Sequence, residues 1–86
     1  MELELDVVAS TGRSVLALGE AKWSAAPVGR GILGRLERKR ALLGERAARA
    51  KLLLFSSAGF DRGLAAHARG RQDVELVDLR RLYTGD

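Results

Sequence analysis

The sequence predicts an α/β domain with the element order β-β-α-β-α-β and one mixed sheet. Three observations carry this expectation. Leu3-Glu4-Leu5-Asp6-Val7 alternates apolar and acidic residues and leads through Ser10-Thr11-Gly12-Arg13 into a second extended segment. A long stretch after Pro27 repeats apolar residues at three-and-four spacing. Lys51-Leu52-Leu53-Leu54-Phe55-Ser56 is a short, almost purely apolar run, which suits a strand buried inside a parallel sheet.

The first strand is expected over residues 3–9, and Ser10 to Arg13 forms the turn. Ser14 to Trp23 is its hairpin partner. Ser24-Ala25-Ala26-Pro27 breaks the pattern, with Ser24 or Ala26 as a helix cap and Pro27 in the first turn, where a missing N–H is harmless. A helix then runs from Val28 to Arg49, with Ile32, Leu33, Leu36, Leu43, Ala47 and Ala50 as its apolar stripe. Gly29, Gly31, Gly34 and Gly44 oppose that helix at about 1 kcal/mol each relative to alanine. Asp61 caps a short helix from Arg62 to Arg69. Gly70 to Asp73 is a turn, Val74 to Val77 the last strand, and Asp78 caps a terminal helical turn through Tyr83. Such an order gives one sheet with helices packed against it.

Bulk properties restrict the function. At 86 residues the chain is one domain, 1–86, that buries only about 60% of its unfolded surface. With one Trp, one Tyr and two Phe, the core must be aliphatic. The absence of cysteine excludes a disulfide framework and a thiolate zinc site, and it suits a cytoplasmic location. No apolar stretch approaches a membrane span, and the acidic, alternating start is wrong for a signal peptide. The net charge of +4 is unevenly spread. Glu2, Glu4, Asp6 and Glu20 dominate the hairpin, whereas Arg30, Arg35, Arg38, Lys39, Arg40, Arg46, Arg49 and Lys51 dominate residues 30–51. A cationic surface beside clustered carboxylates suits a polyanion that meets a metal ion.

The chemistry concentrates on the hairpin. Glu4 and Asp6 share one face of the first strand, and Glu20 and Lys22 share one face of the second. Two carboxylates on neighbouring strands can hold a hard cation such as Mg²⁺ or Mn²⁺, with waters and phosphate completing its shell. Lys22 would orient an attacking water or neutralise charge on a phosphorane. This requires the two faces to coincide. A two-residue loop at Thr11-Gly12 pairs Ser10 with Arg13 and sends Asp6 and Glu20 to opposite faces. A three-residue loop pairs Ser10 with Ser14, placing Glu4 opposite Glu20 and Asp6 opposite Leu18. The odd-length register, or a bulge of the same effect, is therefore expected. The same charges would also serve as the wet face of a two-stranded ribbon.

Glu4-Leu5-Asp6-Val7-Val8 followed by Gly19-Glu20-Ala21-Lys22-Trp23 resembles the PD-(D/E)xK restriction-endonuclease-like superfamily. More closely, these blocks, with Leu53-Leu54-Phe55-Ser56-Ser57-Ala58-Gly59-Phe60 and Val77-Asp78-Leu79, resemble the uncharacterised C-terminal domain of archaeal and bacterial AAA-type ATPases. The resemblance implies a restriction-endonuclease-like core and Mg²⁺-dependent cleavage of nucleic acid, DNA above all. It matches Asp6 to the metal-binding aspartate, Glu20 to the second carboxylate, Lys22 to the catalytic lysine and Glu4 to an acidic position found in some members. Leu5 stands where the motif's name has proline. The superfamily also sets a helix before this strand. Here the chain opens on the strand, as the tail of a larger ATPase-linked protein, a gene remnant or a fragment would, and a partner could supply the helix.

The remaining residues carry less. Arg35, Arg38, Lys39 and Arg46 could follow a phosphate backbone, or simply form a solvated helix face. His67, the only histidine, fits a satisfied helix position better than a general base. Trp23 is expected to anchor the core under the helices. Ser56 and Ser57 lack a neighbouring base. Gly29-x-Gly31-x-x-Gly34 comes after a break rather than a buried strand, so it is not a dinucleotide loop. A non-catalytic module of the same fold, docking onto nucleic acid, an ATPase domain or a second copy of itself, is the alternative to a nuclease.

Overall fold

The computed structural model describes residues 3–80. Strands β1 (Leu3–Thr11) and β2 (Ser14–Trp23) form an antiparallel hairpin. Helix α1 (Arg30–Leu43) and a 3₁₀ turn (Gly44–Ala47) lead to β3 (Lys51–Ser56), and α2 (Arg62–Arg69) leads to β4 (Val74–Asp78). The sheet order is β1-β2-β3-β4, with β3 parallel to both β2 and β4. The protein is thus α/β, with a mixed four-stranded sheet that begins as a hairpin. The terminal helical turn expected through Tyr83 lies outside the described residues.

The hairpin closes on a two-residue loop, Gly12 and Arg13, rather than on the expected three-residue loop Thr11-Gly12-Arg13. Thr11 pairs with Ser14, and Gly12 takes φ +56°, a conformation glycine adopts without strain. The register then shifts. Ser10 pairs with Val15 but Ala9 pairs with Ala17, so Leu16 is an extra residue on β2. The bulge restores the parity that a two-residue loop alone would lose.

Helix α1 is shorter than the expected Val28–Arg49 span. Its cap is Gly29 rather than Ser24 or Ala26, with no side-chain cap bond, and Pro27 lies ahead of the helix. Val28 is held outside it by a bridge to Phe60, donating to the Gly59 carbonyl at 3.0 Å and accepting from Asp61 at 2.9 Å. At the far end Gly44 adopts φ +69°, and the chain turns down through the 3₁₀ segment. That turn buries Ala47 and Ala50 as expected, but it leaves Leu43 outside the core. Helix α2 matches its expected bounds, with the Asp61 carboxylate accepting from the Leu64 amide at 2.8 Å.

Two successive parallel crossovers run in the same direction across the sheet. Crossovers of one hand in the same direction place both helices on one face, where Leu33, Leu36 and Leu64 join a single core. Leu18, Leu52, Leu54 and Val74 point to that face and are buried with Leu33 and Leu36 of α1 and Leu64 of α2. The opposite face carries Leu3, Leu5 and Val7 of β1, Ala21 and Trp23 of β2, and Leu53 and Phe55 of β3. Trp23 pairs with Leu3 there, so it does not pack under the helices as expected. Gly19 keeps this face tight, since a Cβ there would sit 3.4 Å from Val7 Cβ, Phe55 Cε2 and the Leu53 carbonyl.

An ionic clasp fixes α1 to the start of β4. Arg71 donates to Glu37 at 2.6 Å and to Asp73 at 2.7 and 2.9 Å, while Arg40 donates to Asp73 at 3.0 Å and to the Ala50 carbonyl at 3.1 Å. The Arg71 hydrogen bonds hold the Asp73 carboxyl far below the usual carboxylate range. His67 Nε2 lies 3.3 Å from Arg71 at the edge of the clasp.

Candidate functional site

The site is built on the helix-facing side of the hairpin. Asp6 lies directly opposite Glu20, and Glu4 directly opposite Lys22. The expected coincidence of faces is met through the bulge. The partners sit two residues from those of a three-residue loop, which would have set Asp6 against Leu18 and Glu4 against Glu20. Facing Cβ atoms in such a pair are about 5 Å apart, so the carboxylates of Asp6 and Glu20 can converge on one ion.

They do converge on a cation, and it comes from α1. Lys39 Nζ lies 3.3 Å from Asp6 Oδ2 and 3.8 Å from Glu20 Oε1. Arg35, one turn earlier on the same helix face, donates to Glu20 Oε2 at 2.7 Å and reaches Glu4 Oε1 at 3.5 Å. Lys22 Nζ also approaches Glu4 Oε1, at 3.7 Å. Glu20 is only 3% exposed, yet its charge is matched by two cations. The hydrogen bond to Glu20 raises the Arg35 pKa above its ordinary value. Arg35 Nε is buried without a hydrogen-bond partner.

The structure therefore places Arg35 and Lys39 over the carboxylates. Leu36 between them is buried in the core, which directs its neighbours on either side toward the hairpin. Sequence reasoning counted these two residues among phosphate contacts and missed them as counter-ions. Their four-residue spacing, flanking a core leucine, was the available signal. Arg38 is exposed and lines a shallow groove on α1 with Arg35 and Ile32, and Arg46 donates to the Arg13 carbonyl at 2.8 Å, bracing the hairpin turn.

Along the carboxyl ends of the strands, Lys22 is in register with Ser56, and Ser56 with Asp78. Ser56 is fully buried and accepts from the Ala58 amide at 3.2 Å, which assigns it to closing the loop after β3. Asp78 is tied to Arg80 by hydrogen bonds of 2.9 and 3.0 Å. Gly31 and Gly34 lie within α1 rather than in a phosphate loop. Beside Asp6 and Lys39 opens a cleft of about 320 Å³, lined also by Val8, Leu36, Leu42 and Leu43.

The donor set suits a hard divalent cation in kind. Among the described residues no cluster of three metal-ligating side chains forms, so Asp6 and Glu20 would hold the ion with water in its remaining positions. The convergence of both carboxylates on one ammonium is the observation that fits them to this task. Such an ion would displace Lys39 Nζ and leave that ammonium beside the site. Among the described residues no helix is long and apolar enough to cross a membrane. No family model, no curated protein and no solved structure matches the chain.

Proposed function

We propose that the hairpin is a metal-dependent phosphodiesterase site acting on nucleic acid, with DNA as the favoured substrate. One observation carries this reading: Asp6 and Glu20, from adjacent strands, converge on a single cation position. Asp6 and Glu20 are assigned to hold Mg²⁺ or Mn²⁺, with Glu4 at the rim. A bound divalent cation would polarise a phosphoryl oxygen and lower the pKa of a coordinated water. Lys22, on the face of Glu20 and two residues further along, orients the water and offsets charge on the phosphorane. Arg35 and Lys39 line the approach from α1, and Arg38 adds charge beside Arg35. Arg46 lies at the turn end of the hairpin. These cations favour a polyanion through counterion release.

The test is calorimetry with Mn²⁺, together with cleavage assays on plasmid and single-stranded DNA. Binding by the parent is expected, with loss in Asp6→Asn and in Glu20→Gln. Lys22→Ala should keep the metal and lose cleavage. Mn²⁺ binding that all three variants share with the parent would show that the ion sits elsewhere.

A second reading rests on the same ion pairs. If Lys39 and Arg35 are permanent counter-ions, the hairpin is a self-neutralised docking surface, in line with a module attached to an ATPase-linked protein. DNA binding that ignores added metal, with no cleavage, supports that reading instead.

A further inference from the structure

We propose that β1 is a self-association edge, along which two copies of the chain pair antiparallel to make one continuous eight-stranded sheet. All nine residues of β1 are exposed, and one side of its backbone has no strand beside it among the described residues. Long edges of this kind are templates for another strand, and proteins usually blunt them with charged side chains, lysine above all, with proline or with a bulge on the edge itself. The two charges of β1, Glu4 and Asp6, are instead paired within the chain with Lys22, Arg35 and Lys39. β1 has neither lysine nor proline, and the extra residue of the hairpin bulge is on β2. The opposite edge, β4, is only five residues long.

The charges on β1 set the register in which a second copy can join. A two-fold axis perpendicular to the sheet sets residues opposite one another on the same face. Centred on Asp6, it would face Asp6 with Asp6 of the second copy. Centred on Leu5, it would face Glu4 with Asp6. Like charges directly opposite are destabilising. Centred on Val7, it pairs all nine residues and opposes no two carboxylates. Val7 then meets Val7, Leu5 meets Ala9 and Leu3 meets Thr11, while Asp6 meets Val8 and Glu4 meets Ser10. Apolar Leu5 and Leu3, at 55% and 57% exposure, thereby gain cross-strand neighbours. On the helix-facing side, Val8 of the second copy comes beside Asp6, at the mouth of the cleft that Asp6 shares with Lys39. The two Asp6 carboxylates become diagonal neighbours, each held by its own Lys39 at 3.3 Å.

The experiment uses the full chain, without metal or nucleic acid, so its outcome is independent of the proposed phosphodiesterase. Sedimentation and light scattering should give twice the 9.3 kDa chain mass at high micromolar concentration. Val7→Lys, which sets two ammonium groups face to face, should give a monomer with an unchanged circular-dichroism spectrum. Because the chain lacks cysteine, Val7→Cys and Leu3→Cys each carry one thiol. Mild oxidation should cross-link Val7→Cys at least tenfold faster than Leu3→Cys, whose two copies are far apart in this register. Equal cross-linking rates would overturn the register. A parent that stays monomeric would overturn the proposal and leave the edge for an extended segment of another protein.

Discussion

Arg35 Nη2 lies 2.7 Å from Oε2 of Glu20, so a half-exposed guanidinium reaches down to a carboxylate that is almost wholly withdrawn from water. The pair joins the first helix to the second strand at the point where the acidic hairpin would otherwise repel itself. Removing one member of a buried pair leaves the other uncompensated. Lys39 remains within reach of Glu20, and Arg35 is partly in solvent, so the loss is smaller than for a fully sequestered pair. Arg35→Met is expected to lower unfolding free energy by roughly 1–2 kcal/mol, and the added change Glu20→Gln to restore part of it. Urea denaturation of the two variants checks this; an unchanged midpoint in Arg35→Met would mean that the contact contributes nothing.

Lys39 competes with any metal for the position between Asp6 and Glu20. Lys39→Ala should therefore tighten Mn²⁺ binding, by about tenfold if the ammonium supplies about 1.4 kcal/mol of the competing interaction. It should lower stability in the absence of metal, since Asp6 and Glu20 then face one another with less compensation. Calorimetry and thermal melts with and without Mn²⁺ read both effects. A Lys39→Ala protein that binds no metal would favour the docking reading.

The Arg71 clasp gives stability a pH dependence of known sign. The folded-state pKa of Asp73 is depressed, chiefly by its hydrogen bonds from Arg71. Its contribution is complete above the unfolded value, near 4, and is lost as pH falls through the lower folded value. The parent should lose stability progressively below about pH 4. Asp73→Asn should be less stable at pH 7 and show a shallower acid limb. Melting temperatures from pH 7 to pH 2 measure the difference, and parallel curves would contradict the clasp.

Gly44 stops α1 with a positive φ and open space around its Cα. Gly44→Ala meets no clash, so any cost comes from the backbone alone. With ψ near −147° as well, this backbone is close to glycine-only, and a loss of roughly 1–3 kcal/mol is expected in chemical denaturation. A neutral result would show that the chain can leave the helix by another route.

Much of this architecture could be read in the letters. β2 and β3 begin and end where alternation and the apolar run place them, and Asp61 starts α2 as its side chain predicts. Those features are local, because they depend on side-chain period and capping. What the letters hid was relational. The extra residue Leu16 depends on how the turn closes, and Thr11, expected in the loop, pairs with Ser14 instead. The rotation of α1 over the hairpin decides that Arg35 and Lys39 meet carboxylates while Arg38 does not. Trp23 follows the parity of its strand to the face away from the helices, although its size suggested the core. Parity also brought Asp6 and Glu20 together, so the pairing was legible as a condition and its cause was not.

The bulge at Leu16 makes the hairpin unequally tolerant of length change. Were Leu16 drawn into regular pairing opposite Ala9, the strands would slide by a single step, and Asp6 would come opposite Gly19 on the face shared with Leu53 and Phe55. Acid would then lie among oil, and leucines would turn toward the helix. Loss of Leu16 itself would leave Ala9 opposite Ala17 and Asp6 opposite Glu20, whereas one residue added or removed in the paired stretch between the bulge and the carboxylates shifts the chemistry of residues farther along, and a matching change on the other strand restores it. Viable length variants of this hairpin should either lack Leu16 or come in compensating pairs.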